Sequence, residues 1–391
     1  MLSYSIARPT TEGMFLKVHG HQGLPMVWLL VTVGIVLLVA LYNRFVGGAE
    51  LMRLYGDAAL ASGVVLLLLL LWLRQGLTGA HHLLYLWKDL YVVLLVEIYY
   101  SYTNSVFAIH TARWVYGLFG LLSALGGITG SLVVRHFAEP LGATALLWIV
   151  PAILFVIWLL CIPMGRLAGA SPPDGEPPER PTLLQAIRVV ALSRYLVLVL
   201  ALVATVQVVI TLVDFEFSAV AERIFPTEDR ASAGIATVYG AISGVTVVLH
   251  AMTGPVLRIV GVPLTLLVIP LLLASGMSTY VALPLFATIA GVKVASKCFD
   301  YSLFRSAKEL LYIPLSYTER TRGKSVVDMV VYRVAKGGAS LMLIGLVSVG
   351  GRSLVTPLTL ALTLLWVTVT LVIVRRFRDL VPRTAEIGSR S

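Results

Sequence analysis

Long apolar runs, broken only at charges and turn formers, dominate this chain. Eleven of them recur, near Leu24–Phe45, Asp57–Leu73, Leu83–Thr103, Arg113–Val134, Gly142–Met164, Tyr195–Phe217, Ala231–Thr253, Val262–Met277, Tyr280–Cys298, Val326–Val349 and Leu354–Val374. A helix crosses the ~30 Å hydrocarbon layer in about 20 mostly apolar residues, because every backbone polar group there needs a partner inside its own segment. The pattern therefore predicts an all-α integral membrane protein with eleven transmembrane helices. Between the fifth and sixth runs, Ser171-Pro-Pro-Asp-Gly-Glu-Pro-Pro-Glu-Arg180 is too rich in proline and charge to enter lipid. It predicts a cytoplasmic linker, 165–193, between an N-terminal bundle of five helices, 24–164, and a C-terminal bundle of six, 194–374, followed by a basic cytoplasmic tail, 375–391. Two bundles on a charged linker are the layout of a major-facilitator-like transporter, here one helix short. Residues 1–23 read as an extracytoplasmic segment after a missing first helix. The apolar stub Met1–Ala7 reads as the last turns of that helix, with the native reading frame beginning further upstream.

Composition sharpens this reading. Hydrophobic residues make up 58% and charged residues 13% of 391 positions, with a mean hydropathy of +0.90, so lipid is the main solvent. A net charge of +10 would suggest nucleic acid in a soluble protein. Here most Lys and Arg instead fall in alternate loops, and the positive-inside rule places the carboxy terminus in the cytoplasm, so no nucleic-acid partner is expected. Arg outnumbers Lys, and Ala, Val, Leu and Gly are heavily used, which is the bias of a GC-rich bacterial genome. The expected address is a multi-pass position in the cell inner membrane, as a monomer within the lipid bilayer. Cys161 and Cys298 show no paired spacing, and no nucleophile–base set or metal cluster is visible. The chain is expected not to be an enzyme and to need no cofactor or metal.

The most distinctive stretch is Phe299–Leu341. It carries Phe304, Lys308-Glu309, Tyr312-Ile-Pro-Leu315, Gly323-Lys324, Asp328 and Lys336-Gly-Gly338. This pattern resembles the ATP/ADP translocase family of nucleotide transporters. A second patch comprises Asn104, Phe107, Ala112-Arg113 and Gly117, followed by Gly126, Gly127 and Gly130. A third, Arg8-Pro-Thr-Thr-Glu-Gly-Met-Phe15, is similar to the family's segment directly after its first helix. Where strict ATP/ADP exchangers of that family carry Lys or Arg shortly after the arginine, this chain has Thr11. The resemblance implies a small anionic solute, a nucleotide or other phosphorylated anion, as the partner.

Ionisable side chains within apolar runs are costly in lipid and face a cavity or a partner, so each is a functional candidate. Asp328, Tyr332 and Lys336, four apart, share one helix face, with Arg333 about 140° round from Asp328. A cation and a phenol on one inward stripe suit a phosphate; an intraprotein pair for Lys336 is the competing reading. Lys88 joins this substrate-binding set, and the family patches add Asn104 and Arg8. Asp89 and Glu97, on one broad face with Asn104, read as coupling or gating residues or as structural inter-helix pairs, and Arg113, Lys308 and Glu309 join the coupling or gating set. Adjacent on a helix, Lys88 and Asp89 are expected to find partners elsewhere. Asp214 and Glu216 read as snorkelling residues at the end of their run, and Lys293 and Lys297 as a basic vestibule or a topological signal. Arg305 and Glu309 read as an exposed i,i+4 pair, His81-His82 as a surface pair in a short loop, and the glycine ladder as helix packing. Cations and anions within the runs balance at five each. The leading function is a secondary transporter of a nucleotide-like anion by alternating access; the alternative is a proton-coupled exporter of an unrelated organic compound, acting through Asp89 or Glu97.

Overall fold

A computed structural model describes the whole chain except residues 46–49, 107–108, 168–182, 317–318, 321–323, 325–326, 328–330 and 389–391. Its helices are α1 (Leu2–His19), α2 (Leu24–Phe45), α3 (Leu51–Arg74), α4 (Ala80–Val106), α5 (Ile109–Leu141), α6 (Ala143–Leu147), α7 (Ile149–Leu167), α8 (Leu183–Leu192), α9 (Arg194–Ile224), α10 (Glu228–Ile259), α11 (Val262–Ala282), α12 (Phe286–Phe299), α13 (Arg305–Leu311), α14 (Tyr332–Ser348) and α15 (Val355–Gly388). A π-helical turn, Asp300–Phe304, joins α12 to α13. Among the described residues, all regular structure is helical.

The opening residues depart most from expectation. Leu2–His19 forms one eighteen-residue helix, α1, in place of the last turns of a helix followed by a non-helical segment. Counting apolar runs missed this helix because protein, not lipid, surrounds it. Ser3, Ile6, Ala7 and every residue from Pro9 to Leu16 are buried. The buried Thr10 and Thr11 hydroxyls are satisfied within the helix, donating to the carbonyls of Ile6 and Ala7. A helix buried on all sides has no need of an apolar face.

Among the described residues, eight stretches are long and apolar enough to cross a membrane. Three of the expected runs fall outside that set for physical reasons. Lys88, Asp89 and Glu97 lower the hydropathy of α4, α12 has only 14 residues, and the described part of the run at 326–349 is the 17-residue α14. The run expected over Tyr280–Cys298 breaks before Phe286, where Pro284 offers no backbone N–H, and its first residues complete α11. Within the expected linker, Leu183–Leu192 is helical, whereas 168–182 lies outside the described residues.

The helices group into two compact units. The first comprises Met1–Glu176 and Ala221–Gly244, and the second Pro177–Val220 and Val245–Ser391, so the end of α9 and the first half of α10 belong with the first unit. Within the first unit, Ile6, Ala7 and Met14 of α1 share a core with Leu66 and Leu70 of α3, Leu84 and Tyr91 of α4, Val134 of α5 and Leu154 of α7. The glycine ladder of α5 admits α1 at close range. A Cβ at Gly130 would lie 2.8 Å from the Leu2 carbonyl oxygen and from the Ser5 Cβ. In the second unit α11 packs against α12 and α15, and Trp366 of α15 meets the Phe304 ring edge-on at 6.0 Å.

Gly130→Val is expected to force α1 off α5 and destabilise the protein by about 1–3 kcal/mol. Gly120→Val, on the same helix with open space at its Cβ position, should leave stability unchanged. Thermal unfolding of both variants in detergent micelles checks this.

Candidate functional site

In the first unit α1 and α4 bring four ionisable groups together. Arg8 and Glu12 lie one turn apart on α1, with Arg8 Nε 3.2 Å from Glu12 Oε1. From α4, Lys88 Nζ lies 2.9 Å from Asp89 Oδ2 and 3.7 Å from Glu12 Oε1. Lys88 is only 1% exposed. An ammonium buried so deeply demands anions, since leaving a buried charge unpaired costs about 3–5 kcal/mol. Lys88 and Asp89 do pair with each other, contrary to expectation. The flexible four-carbon lysine stem bends the ammonium back to its neighbour, which the spacing rule for helical pairs does not capture.

Aromatic residues enclose the cluster. The Tyr4 hydroxyl donates to Asp89 Oδ1 at 3.3 Å, and the Tyr239 hydroxyl to Glu12 Oε2 at 2.7 Å. The Arg8 guanidinium lies 4.0 Å from the centre of the Tyr239 ring and 5.7 Å from that of Tyr4, while Lys88 Nζ sits 3.8 Å from the Tyr85 ring. Such faces attract cations more strongly where water is excluded. Thr11 puts no charge here, and its hydroxyl is spent within α1. Chemically, the cluster sets one forked guanidinium and one ammonium against two resident carboxylates.

A second cluster lies within the second unit. Asp214 of α9 bridges Lys297 of α12, at 2.7 Å through Oδ2, and Lys293 of α12, at 3.5 Å through Oδ1. Lys293 also lies 4.0 Å from the Phe217 ring, and Gln207 donates to Asp300 at 3.3 Å. Asp214 and Glu216 therefore do not snorkel. Since α9 continues to Ile224, they are internal to it, and the buried Glu216 accepts a hydrogen bond from Thr356 at 2.6 Å. Lys293 and Lys297 are fixed ion-pair partners rather than an open vestibule.

Of the remaining predicted residues, Asp328 and the side chains of Asn104 and Arg113 lie outside the described residues. Arg333, Lys336, Glu97 and Lys308 are half-buried, while Tyr332 is exposed at the start of α14. Glu309 pairs with Lys324 at 2.5 Å instead of with Arg305, which is exposed. His81 and His82 are not in a loop. They form the first turn of α4 and pack on His19, with ring centres 5.7 and 4.2 Å away. Residues missing from the sequence reading are Glu12, Tyr4, Tyr85 and Tyr239. Glu12 carried a legible signal, an Arg–Glu pair at i,i+4; Tyr239 lies 227 positions from Glu12 and carried none.

The sequence profile of the TLC ATP/ADP transporter family matches residues 176–380, just over half of the chain. The chain belongs to this family. It is 24% identical over 339 residues to ADP,ATP carrier protein 4 of Rickettsia conorii, covering 72% of this chain and 65% of that protein. To ADP,ATP carrier protein 1 of Chlamydia muridarum it is 26% identical over 323 residues, covering 71% and 61%. The chain thus spans less than two thirds of the length of these relatives. Among solved structures, that of the nucleoside transporter NupG superimposes with a TM-score of 0.64 at 14% identity, covering 97% of this chain and 96% of that one. A bacterial homologue of the iron transporter ferroportin gives 0.61 at 14% identity, covering 95% and 97%. At these identities the likeness shows the fold alone, which is all-helical and major-facilitator-like. The chain is a multi-pass membrane protein of a transporter family.

Asp214→Asn removes the carboxylate shared by the buried Lys293 and the half-buried Lys297 and is expected to destabilise the protein by about 3–5 kcal/mol. Asp214→Asn combined with Lys297→Met should recover part of that loss. Thermal unfolding in micelles reads both, and equal stability of the two variants would contradict the assigned pairing.

Proposed function

We propose that this protein is a secondary carrier of a nucleotide-like or other phosphorylated anion, working by alternating access between two helix bundles in the bacterial inner membrane with its carboxy terminus cytoplasmic. The observation that carries this reading is the convergence of the half-buried Arg8 and the buried Lys88 on Glu12, in a chain of an ATP/ADP transporter family. The relatives' names, ADP,ATP carrier proteins, suggest the substrate class. Phosphate oxygens accept charge-assisted hydrogen bonds from guanidinium and ammonium groups, and these are strong where water is excluded.

Binding on this reading is an exchange of anions. The substrate phosphates take Arg8 and Lys88, and Glu12 and Asp89 give them up. Asp89 can retain the Tyr4 hydroxyl during the exchange. Because resident carboxylates compete with the substrate, affinity is held down, and the substrate can leave on the far side. Lys336, Arg333 and Tyr332 on α14, with Asp328, are proposed as further substrate contacts, and Lys308, Glu309, Glu97, Asn104 and Arg113 as residues serving binding or coupling.

Uptake of a panel of labelled nucleotides into proteoliposomes tests the proposal. Flux is expected for at least one phosphorylated solute, with its apparent KM raised at least tenfold, about 1.4 kcal/mol, by Lys88→Ala or Arg8→Ala. Glu12→Gln removes the competing charge and should lower the apparent KM several-fold. Flux of no phosphorylated solute would overturn the reading.

A further inference from the structure

One face of α10 lies along α1, and its residues differ sharply in kind. Ser232, Ala236, Tyr239 and Ser243 follow at helical spacing on that face. The first, second and fourth are small and set a close approach. The Ser232 hydroxyl donates to the Thr10 carbonyl at 3.4 Å, and a Cβ at Gly13 would lie 2.7 Å from the Ser232 backbone nitrogen. Ser243 Oγ comes within 2.8 Å of a Cβ built at Gly127 of α5, and Ala236 is fully buried. Small residues permit contact but give it little directional strength. Tyr239 differs: its hydroxyl binds Glu12 and its ring lies beneath Arg8, so it joins α10 to the charged cluster. At the end of α1, Lys17 donates to the Glu222 carbonyl at 2.6 Å and the His21 amide donates to the Glu222 carboxylate at 2.5 Å.

We propose that Tyr239 is a positioning residue that holds α10 closed against α1, and that an anionic substrate releases it by taking Arg8 and Lys88 from Glu12. This rests on the transport reading above. With Arg8 drawn to phosphate, the Tyr239 ring loses its cation. Glu12, stripped of both cations while buried, becomes costly unless it meets water. Water reaches it when α10 parts from α1, so occupancy of the site and loosening of this contact are linked. A ligand shifts such an equilibrium only through its different affinity for the two arrangements, and the anion acquires that difference from the two cations it takes.

Ser232 is 0% exposed and reports the contact. Ser232→Cys, in a protein with Cys161→Ser and Cys298→Ala, is placed in nanodiscs and labelled with a membrane-impermeant maleimide. Labelling should be slow with Tyr239, several-fold faster in Tyr239→Phe, which keeps the ring but loses the hydroxyl, and at least tenfold faster in Tyr239→Ala. Saturating ADP should accelerate the Tyr239 form and add nothing in Tyr239→Ala. Tyr239→Phe guards against misfolding, since it removes one oxygen. Labelling that is independent of residue 239 overturns the proposed role. Acceleration by Tyr239→Ala with no response to ADP, ATP or inorganic phosphate upholds the holding role but overturns release by such an anion, and with it the substrate class.

Discussion

An ammonium group that water does not reach can persist only if the protein supplies its counter-charge, and Lys88 imposes that condition on the first unit. Its own neighbour Asp89 provides one carboxylate and Glu12 of α1 approaches as the second. For Glu12 to reach it, α1 must lie against α4 inside the unit. A helix in that position carries Arg8, Thr10, Thr11 and Glu12 on surfaces that meet protein instead of lipid. The glycines of α5 follow from the same demand, since only a residue without a Cβ lets α1 settle at that depth. The rings of Tyr85 and Tyr239 then complete the shell around the two cations.

The same balance governs what the cluster can do. An uncompensated cation pair in a low-dielectric interior would bind an anion and hold it. On the proposed transport reading, the resident carboxylates keep the cluster neutral and make release feasible, at the expense of affinity. The second unit repeats this chemistry with different parts, two lysines of α12 sharing Asp214 of α9. In each unit a cation removed from water is paired with a carboxylate from another helix.

Much of this was legible in the sequence. Apolar runs betray helices that face lipid, because each needs about 20 apolar residues, and the ionisable residues inside them, Lys88, Asp89, Asp214, Lys293 and Lys297, do form the clusters. Illegible were the features that depend on what surrounds a helix. α1 lacks an apolar run because it does not touch enough lipid to need one. The partnering of Lys88 with Asp89 depends on side-chain flexibility that spacing ignores. Asp214 looked like the end of a span because the polar stretch after Phe217 gives no sign that α9 continues. Tyr239 is an ordinary aromatic until the fold brings it to Glu12.

The most direct test of the central claim, that buried cations make this an anion site, is the binding of ADP and of adenosine to the purified protein in nanodiscs, measured by calorimetry. The account expects ADP to bind at least tenfold more tightly than adenosine, a difference of about 1.4 kcal/mol, and Lys88→Met to erase most of the advantage. Equal affinity for the two ligands, or an ADP preference that survives Lys88→Met and Arg8→Ala unchanged, would contradict it.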